Sequence, residues 1–204
     1  MDQAPYEMLS NRVLPFEDVI RIKQTEDVLE KYWNDHRTDE TIEYITRHLA
    51  LTPFDFFQDF GAFWEAEGWG RIGHQLEDLF KRLSSFLQAA HPDAAAHVES
   101  IMKYDYLRNQ RFKPRKPWWR SEEADDRSAV YKQLADHPLI VGESFASLQL
   151  REKDLHKHTI LEPVTMRKQE DGWIQEDGWL LAYFSPTGAG SSLYFFSRSL
   201  TKTI

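Results

Sequence analysis

The residues with the clearest chemical potential lie in the second half of the chain. His156 and His158 stand two apart, and on a strand both rings would face one way, as in some zinc sites. Glu152, Asp154 and Glu162 are the nearby acids that could complete a ligand set, although a solvated pair is the commoner outcome for such spacing. Asp105 falls on the continuation of an apolar helical stripe, Val98, Ile101 and Met102. A carboxylate on a buried stripe must be paired or hydrogen-bonded. Lys103 and Arg108 are its local partners, with tyrosine or tryptophan donors of the first helix as further ones. Asp105 reads either as a buried polar clasp or as a ligand-contacting acid. Trp118 and Trp119, beside Arg115, Lys116 and Arg120, could stack on nucleobases or lay their indoles on the helices they cross. SPTGAGSS looks like a phosphate loop but lacks the Gly-Lys-Ser/Thr ending and joins strand to strand, so it reads as a hairpin loop. No Ser–His–Asp set or carboxylate pair stands out.

These residues sit in a chain of 204 residues without a single cysteine. That excludes disulfides, thiolate zinc sites, a cysteine nucleophile and a self-contained cysteine-ligated iron–sulfur cluster, and it suits a reducing, cytoplasmic setting. Thirteen Phe, 8 Tyr and 7 Trp supply a core. The mean hydropathy of −0.60 and the lack of any long apolar run argue against a membrane span. MDQAPYEMLS has no basic or apolar signal-peptide region and reads as loop, as the start of a domain cut from a longer protein would. The net charge of −8 is uneven. Lys103 to Arg120 holds seven basic residues against Asp105 alone, so that segment is +6 and the remainder −14. An acidic body with one basic strap argues against bulk nucleic-acid binding.

The elements that position these groups follow from periodicity. A helix from Phe16 to Trp33 carries two apolar tracks, Phe16, Ile20, Val28, Tyr32 and Val19, Ile22, Leu29, Trp33, which call for more than one packing neighbour. Pro15 suits its first turn, Glu17–Arg21 and Asp27–Lys31 are favourable pairs, and Asn34 to His36 end it. A second helix spans Asp39 to Leu49 with Thr38 as its cap. A third begins at Thr52-Pro53 with Asp55 completing the cap, and it carries Phe56, Phe57, Phe60, Phe63 and Trp64 to a stop at Gly68. A fourth runs from His74 to Ala90, and a fifth, capped by Asp93, to Asn109. KPRKPWW reads as an extended strap, followed by helices capped at Ser121 (Glu122 to Ala135) and from Glu143 to Lys153. Beyond His158 the period changes to strands at about 159–168, 178–185 and 192–198. QEDGWI and QEDGWL offer two Asp-Gly turns, of which one can close a tight hairpin. The fold class is therefore α+β, predominantly α. An antiparallel array of about five to seven helices is followed by a small antiparallel sheet of about three strands. The expected organisation is a lead at 1–14, the array at 15–112, strap and added helices at 113–157, and the sheet at 158–204.

Tyr6-Glu7-Met8-Leu9-Ser10-Asn11, Leu14, Glu17-Asp18-Val19-Ile20, Lys23 and Tyr32-Trp33-Asn34 resemble the start of a known C-terminal region. It is the helical domain of unknown function that ends cobalamin-binding-domain radical S-adenosylmethionine proteins. Pro53 to Phe57, Lys103 to Leu107 and Leu180 to Ser185 extend the likeness, while Ala4 and Asp35 depart from the usual proline and serine. The resemblance implies a parent enzyme with a cobalamin-binding domain first and then a barrel whose three cysteines hold a [4Fe–4S] cluster for S-adenosylmethionine chemistry, leaving open whether cobalamin itself is bound. It implies that this chain carries no cofactor of its own and packs, as a non-catalytic accessory domain, on the upstream barrel of the same polypeptide. The lead, Tyr6 to Leu14, would be the segment leaving the barrel.

Candidate binding residues are then Tyr32, Asn34, Asp105, Tyr106, Arg108, Trp118 and Trp119, with His156 and His158 as weak metal candidates. Neither nucleic acid nor membrane is an expected partner. Two other readings compete: a stand-alone helical module that binds a protein or peptide, and a metal-dependent hydrolase built on His156 and His158.

Overall fold

The computed structural model describes residues 15–49, 52–71, 74–119 and 124–198. The Tyr6–Leu14 lead and the Ser121 cap lie outside the described residues. Two compact units emerge, Met1–His74 and Gln75–Ile204.

In the first unit, α1 (Phe16–Leu29) runs into a π-helical turn, Glu30–Asn34, followed by α2 (Asp39–His48) and α3 (Pro53–Ala66). Helix α3 starts where Thr52 accepts from the Asp55 amide at 3.1 Å and donates to its carboxylate at 2.6 Å, with Pro53 at the first position. Its buried residues Phe56, Phe57, Phe60 and Trp64 recur at helical spacing and form the core with Val28, Ile42 and Ile45. Gly61 lets α3 approach α1 closely, since a Cβ there would meet the Gln24 carbonyl oxygen at 2.6 Å. Tyr32 is fully buried, edge-on to Phe60 and Trp64 at centroid distances of 4.9 and 6.0 Å.

Several local expectations change here. Pro15 occupies the N-cap of α1 rather than its first turn. Arg21 pairs with Asp18 at 3.6 Å, whereas Asp27–Lys31 forms as expected. Thr38 stands at the N-cap of α2 as expected but makes no side-chain cap bond; its hydroxyl donates to the Tyr32 carbonyl at 2.6 Å. It thereby satisfies a carbonyl at the widened turn, and His36, at φ 53°, reverses the chain. The two tracks of α1 are each only half covered. Val19, Val28 and Tyr32 are buried, but Phe16, Ile20 and Ile22 remain 53, 38 and 48% exposed.

The second unit centres on α5 (Pro92–Arg108), which packs on α4 (Leu76–Ala90) and against the sheet. Leu79, Phe80, Leu83, Phe86 and Leu87 supply the α4 face. Asp93 lies in the first turn of α5 rather than at its cap, which is His91. After the strap come α6 (Ala124–Asp136), a short α7 (Glu143–Ala146) and α8 (Glu152–His158). The single helix expected from Glu143 to Lys153 is thus two, because Gln149 at φ 50° breaks it.

Strands β1 (Thr159–Gln169), β2 (Gly172–Phe184) and β3 (Ser191–Ser197) form an antiparallel sheet in the order β1-β2-β3. Asp171-Gly172 closes the first hairpin, with Gly172 at φ 136°. Asp177-Gly178 lies inside β2 opposite a bulge between Val164 and Met166, so β2 starts earlier than its expected 178. A Cβ on Gly178 would meet the Phe196 carbonyl oxygen at 2.8 Å, which favours glycine there. Gly178 to Ala182 are all buried, as expected of a strand covered on both faces. Val130, Leu134, Phe145, Leu155, Leu161, Trp179, Leu181 and Phe196 form a core cluster of this unit. The fold is α+β and mostly α, with eight α-helices and a three-stranded antiparallel sheet among the described residues.

Candidate functional site

Five of the seven candidate binding residues belong to the second unit, around the end of α5. Asp105 is 2% exposed, on the stripe where periodicity places it. Lys103 does not serve it; its ammonium bonds Glu99 at 3.0 Å and stands 5.7 Å over the Trp119 ring. Tyr106 is fully buried and donates to Glu77 Oε1 at 2.8 Å. Burial, and then the Glu77 carboxylate, hold its phenol far above the ordinary value of 10.0. Trp119 packs edge-on to Tyr106 at 5.5 Å, and Trp118 stacks on Phe80 at 6.2 Å. The tryptophans of the basic strap are therefore laid on helices, with Trp119 buried, and are not displayed for stacking on bases.

Around them the strap is tied down. Phe112 packs against Gly188 of the β2–β3 loop, whose φ of +74° and lack of a side chain accommodate the ring. Lys113 donates to the His156 carbonyl at 2.6 Å, and burial lowers its pKa. Arg108 is exposed.

His156 and His158 sit in the last turn of α8, not on a strand. Two residues apart on a helix, the rings point in different directions, so the same-face premise of the zinc reading fails. Of the acids considered with them, Glu152 lies 4.0 Å from His156 Nε2 on the same helix, whereas Asp154 bonds Arg151 at 3.0 Å and Glu162 pairs with Arg127 at 3.2 Å. No cluster of three or more His, Cys, Asp or Glu side chains suited to a metal is present among the described residues.

One polar constellation has no counterpart in the sequence reading. His97 Nδ1 lies 3.1 Å from Thr165 Oγ1, Ser100 Oγ lies 3.2 Å from the same hydroxyl, and the Thr165 amide donates to Ser100 Oγ at 3.0 Å. Thr165 is at the β1 bulge, where the ladder skips a residue, so Ser100 satisfies an amide the sheet leaves over. The imidazole and hydroxyls complete a polar clasp between α5 and β1. Their separation of more than sixty residues gives no local signal.

Tyr32 and Asn34 belong to the first unit, Tyr32 in the core and Asn34 exposed. That unit contains a groove of about 340 Å³ between α1, α2 and α3, which sequence reasoning missed. Ile42 and Phe57 form its buried floor and Leu29 a wall. Trp33 and Phe54, 43 and 59% exposed, form its lips. The second apolar track of α1 contains Leu29 and Trp33 and was the available signal; the convergence of three helices was not.

Among the described residues no helix is long and apolar enough to cross a membrane. Comparisons with curated proteins and with solved structures find no match. The sequence profile of one family, described as protein of unknown function (DUF4080), covers residues 1–180, and the chain belongs to that family.

Proposed function

We propose that this chain is a non-catalytic accessory domain of a radical S-adenosylmethionine iron–sulfur oxidoreductase, packing on the catalytic barrel and shaping access to it. The observation that carries the reading is the half-covered first helix. Phe16 and Ile20 are large apolar residues one turn apart on α1, and both stay exposed although the same helix buries Val19 and Val28. A bared apolar track is what a docking helix presents to a partner. The resemblance of Tyr6 to Asn34 and of Lys103 to Leu107 to the C-terminal region of such enzymes supplies the identity of that partner. Without cysteine, this chain would leave the [4Fe–4S] cluster, the S-adenosylmethionine and any cobalamin to the rest of the polypeptide.

The test is to read the frame upstream of Met1 and produce the encoded protein with and without residues 15–204. The expected result is a CxxxCxxC-bearing barrel that keeps its iron and sulfide in both forms. Without the accessory domain, its substrate-independent cleavage of S-adenosylmethionine should rise, as an opened site admits water. A frame that encodes no such barrel overturns the proposal.

A further inference from the structure

The groove of the first unit has a chemistry of its own, independent of the radical-enzyme reading. Thr25 and Thr46 are the hydroxyl-bearing residues in its lining. Both hydroxyls are committed to their own helices: Thr25 donates to the Arg21 carbonyl at 2.9 Å and Thr46 to the Ile42 carbonyl at 2.9 Å. Neither offers a proton to an occupant, so the groove rewards apolar groups and gives little to a polar one. Its size falls at the lower end of ligand-sized pockets, and its three-helix walls suit the anchors of an amphipathic helix. Ile22, 48% exposed, stands on the same stripe two turns before Leu29, lengthening the apolar track along α1.

The charge around it selects the occupant. Glu26 and Glu30 flank the stripe on α1, both exposed and without an ion-pair partner among the described residues, whereas Glu43 on α2 is paired with Arg47. The first unit as a whole has fifteen acidic residues against seven Lys and Arg. Fatty carboxylates and other anionic amphiphiles are repelled from such a surface, and a cationic one is drawn to it. We propose that this groove binds a basic amphipathic segment of a partner polypeptide. Its apolar anchors enter between Leu29, Ile42 and Phe57, and its Lys or Arg residues face Glu26 and Glu30.

The test uses the full 204-residue chain with methyl-labelled isoleucine and leucine. The probes are an amphipathic Leu/Lys helical peptide, its Leu/Glu counterpart and 1-hexanol as a neutral apolar ligand. The Leu/Lys peptide is expected to shift the Ile42 and Leu29 methyl signals saturably, and the Leu/Glu peptide to leave them in place. Phe54→Asp, at an exposed lip, should weaken the Leu/Lys peptide about tenfold or more while leaving the spectrum of the folded chain intact. Glu26→Gln with Glu30→Gln should weaken it about twofold to fivefold and reduce its salt dependence. The proposal is overturned if the Ile42 methyl does not respond to the Leu/Lys peptide, if Phe54→Asp leaves the affinity unchanged, or if the Leu/Glu peptide binds equally well. It is also overturned if 1-hexanol saturates the groove while the peptide does not.

Discussion

Two pairs of aromatic residues in this chain look alike in sequence and end up in opposite environments. Trp118 and Trp119 lie in a basic strap, where they could stack on bases or lie on the helices they cross. In the structure Trp119 is buried against Tyr106, and Trp118 stacks on Phe80. Trp33 and Phe54 lie among acidic residues in helical segments that read as core, yet both are exposed. The difference is one of supply. The strap crosses α4 and α5, whose aromatic faces receive its indoles. Among the described residues the outer side of α1 finds no comparable cover, since α3 takes the stripe that contains Val28 and Tyr32. The units differ in charge accordingly: Gln75–Ile204 has eighteen acidic and eighteen Lys or Arg residues, whereas Met1–His74 contains the whole excess of eight acids. The first unit combines bared apolar groups with unneutralised charge, the kind of surface that the proposed docking role calls for.

Substitutions can break this contrast, beginning with the largest effect. Trp119→Ala should cost about 3–5 kcal/mol in denaturant unfolding, because it empties a buried site between Tyr106 and Lys103. A cost below about 1 kcal/mol would mean the strap is loosely held and would return its tryptophans to the list of binding residues. Gly61→Ala should cost about 1–3 kcal/mol through its clash with the Gln24 carbonyl, read as faster hydrogen exchange in α1 and α3.

Tyr106→Phe should cost about 1–2 kcal/mol, since it strands part of the Glu77 carboxylate. It also has a pH signature. The folded pKa of Tyr106 is raised above the unfolded value of 10.0, so its contribution is complete below pH 10 and is lost as the pH rises through the folded value. The native chain should therefore lose stability above pH 10 faster than Tyr106→Phe does. Tyr131, also raised by burial, contributes equally to both chains and cancels in the difference. Equal slopes would place Tyr106 in contact with solvent. The smallest effect belongs to Trp33→Ser, which should change stability by no more than about 0.5 kcal/mol. A loss as large as that of Trp119→Ala would remove the distinction between lip and core.

Much of the fold is legible where one residue type has one physical use. Thr52-Pro53-Asp55 starts α3 as its cap chemistry dictates, and the change from helical to alternating period near residue 159 marks the sheet. Errors occur where two local rules compete. His156 and His158 directly precede a strongly β-branched run and would share a face if it began at them, but the Arg151–Asp154 interaction starts a short helix that takes both. The two Asp-Gly signals are indistinguishable locally; strand pairing chooses Asp171-Gly172 and leaves Gly178 to face the Phe196 carbonyl. Thr38 precedes a helix and reads as its cap, while the π-helical turn six residues earlier claims its hydroxyl. Asp105 was legible as a buried position from its place on the stripe, but the Tyr106–Glu77 bond was not, its partners being twenty-nine residues apart. The groove depends on three helices meeting and has no signature in any one of them.

The central claim is that the outer side of α1 is covered by another part of a larger polypeptide, while the strap tryptophans are internal structure. Carbene footprinting of the isolated chain and of the complete encoded polypeptide tests it directly. The account predicts that labelling of Phe16 and Ile20 falls strongly in the complete polypeptide while Trp119 stays unlabelled in both. Equal labelling of Phe16 and Ile20 in the two samples would contradict it.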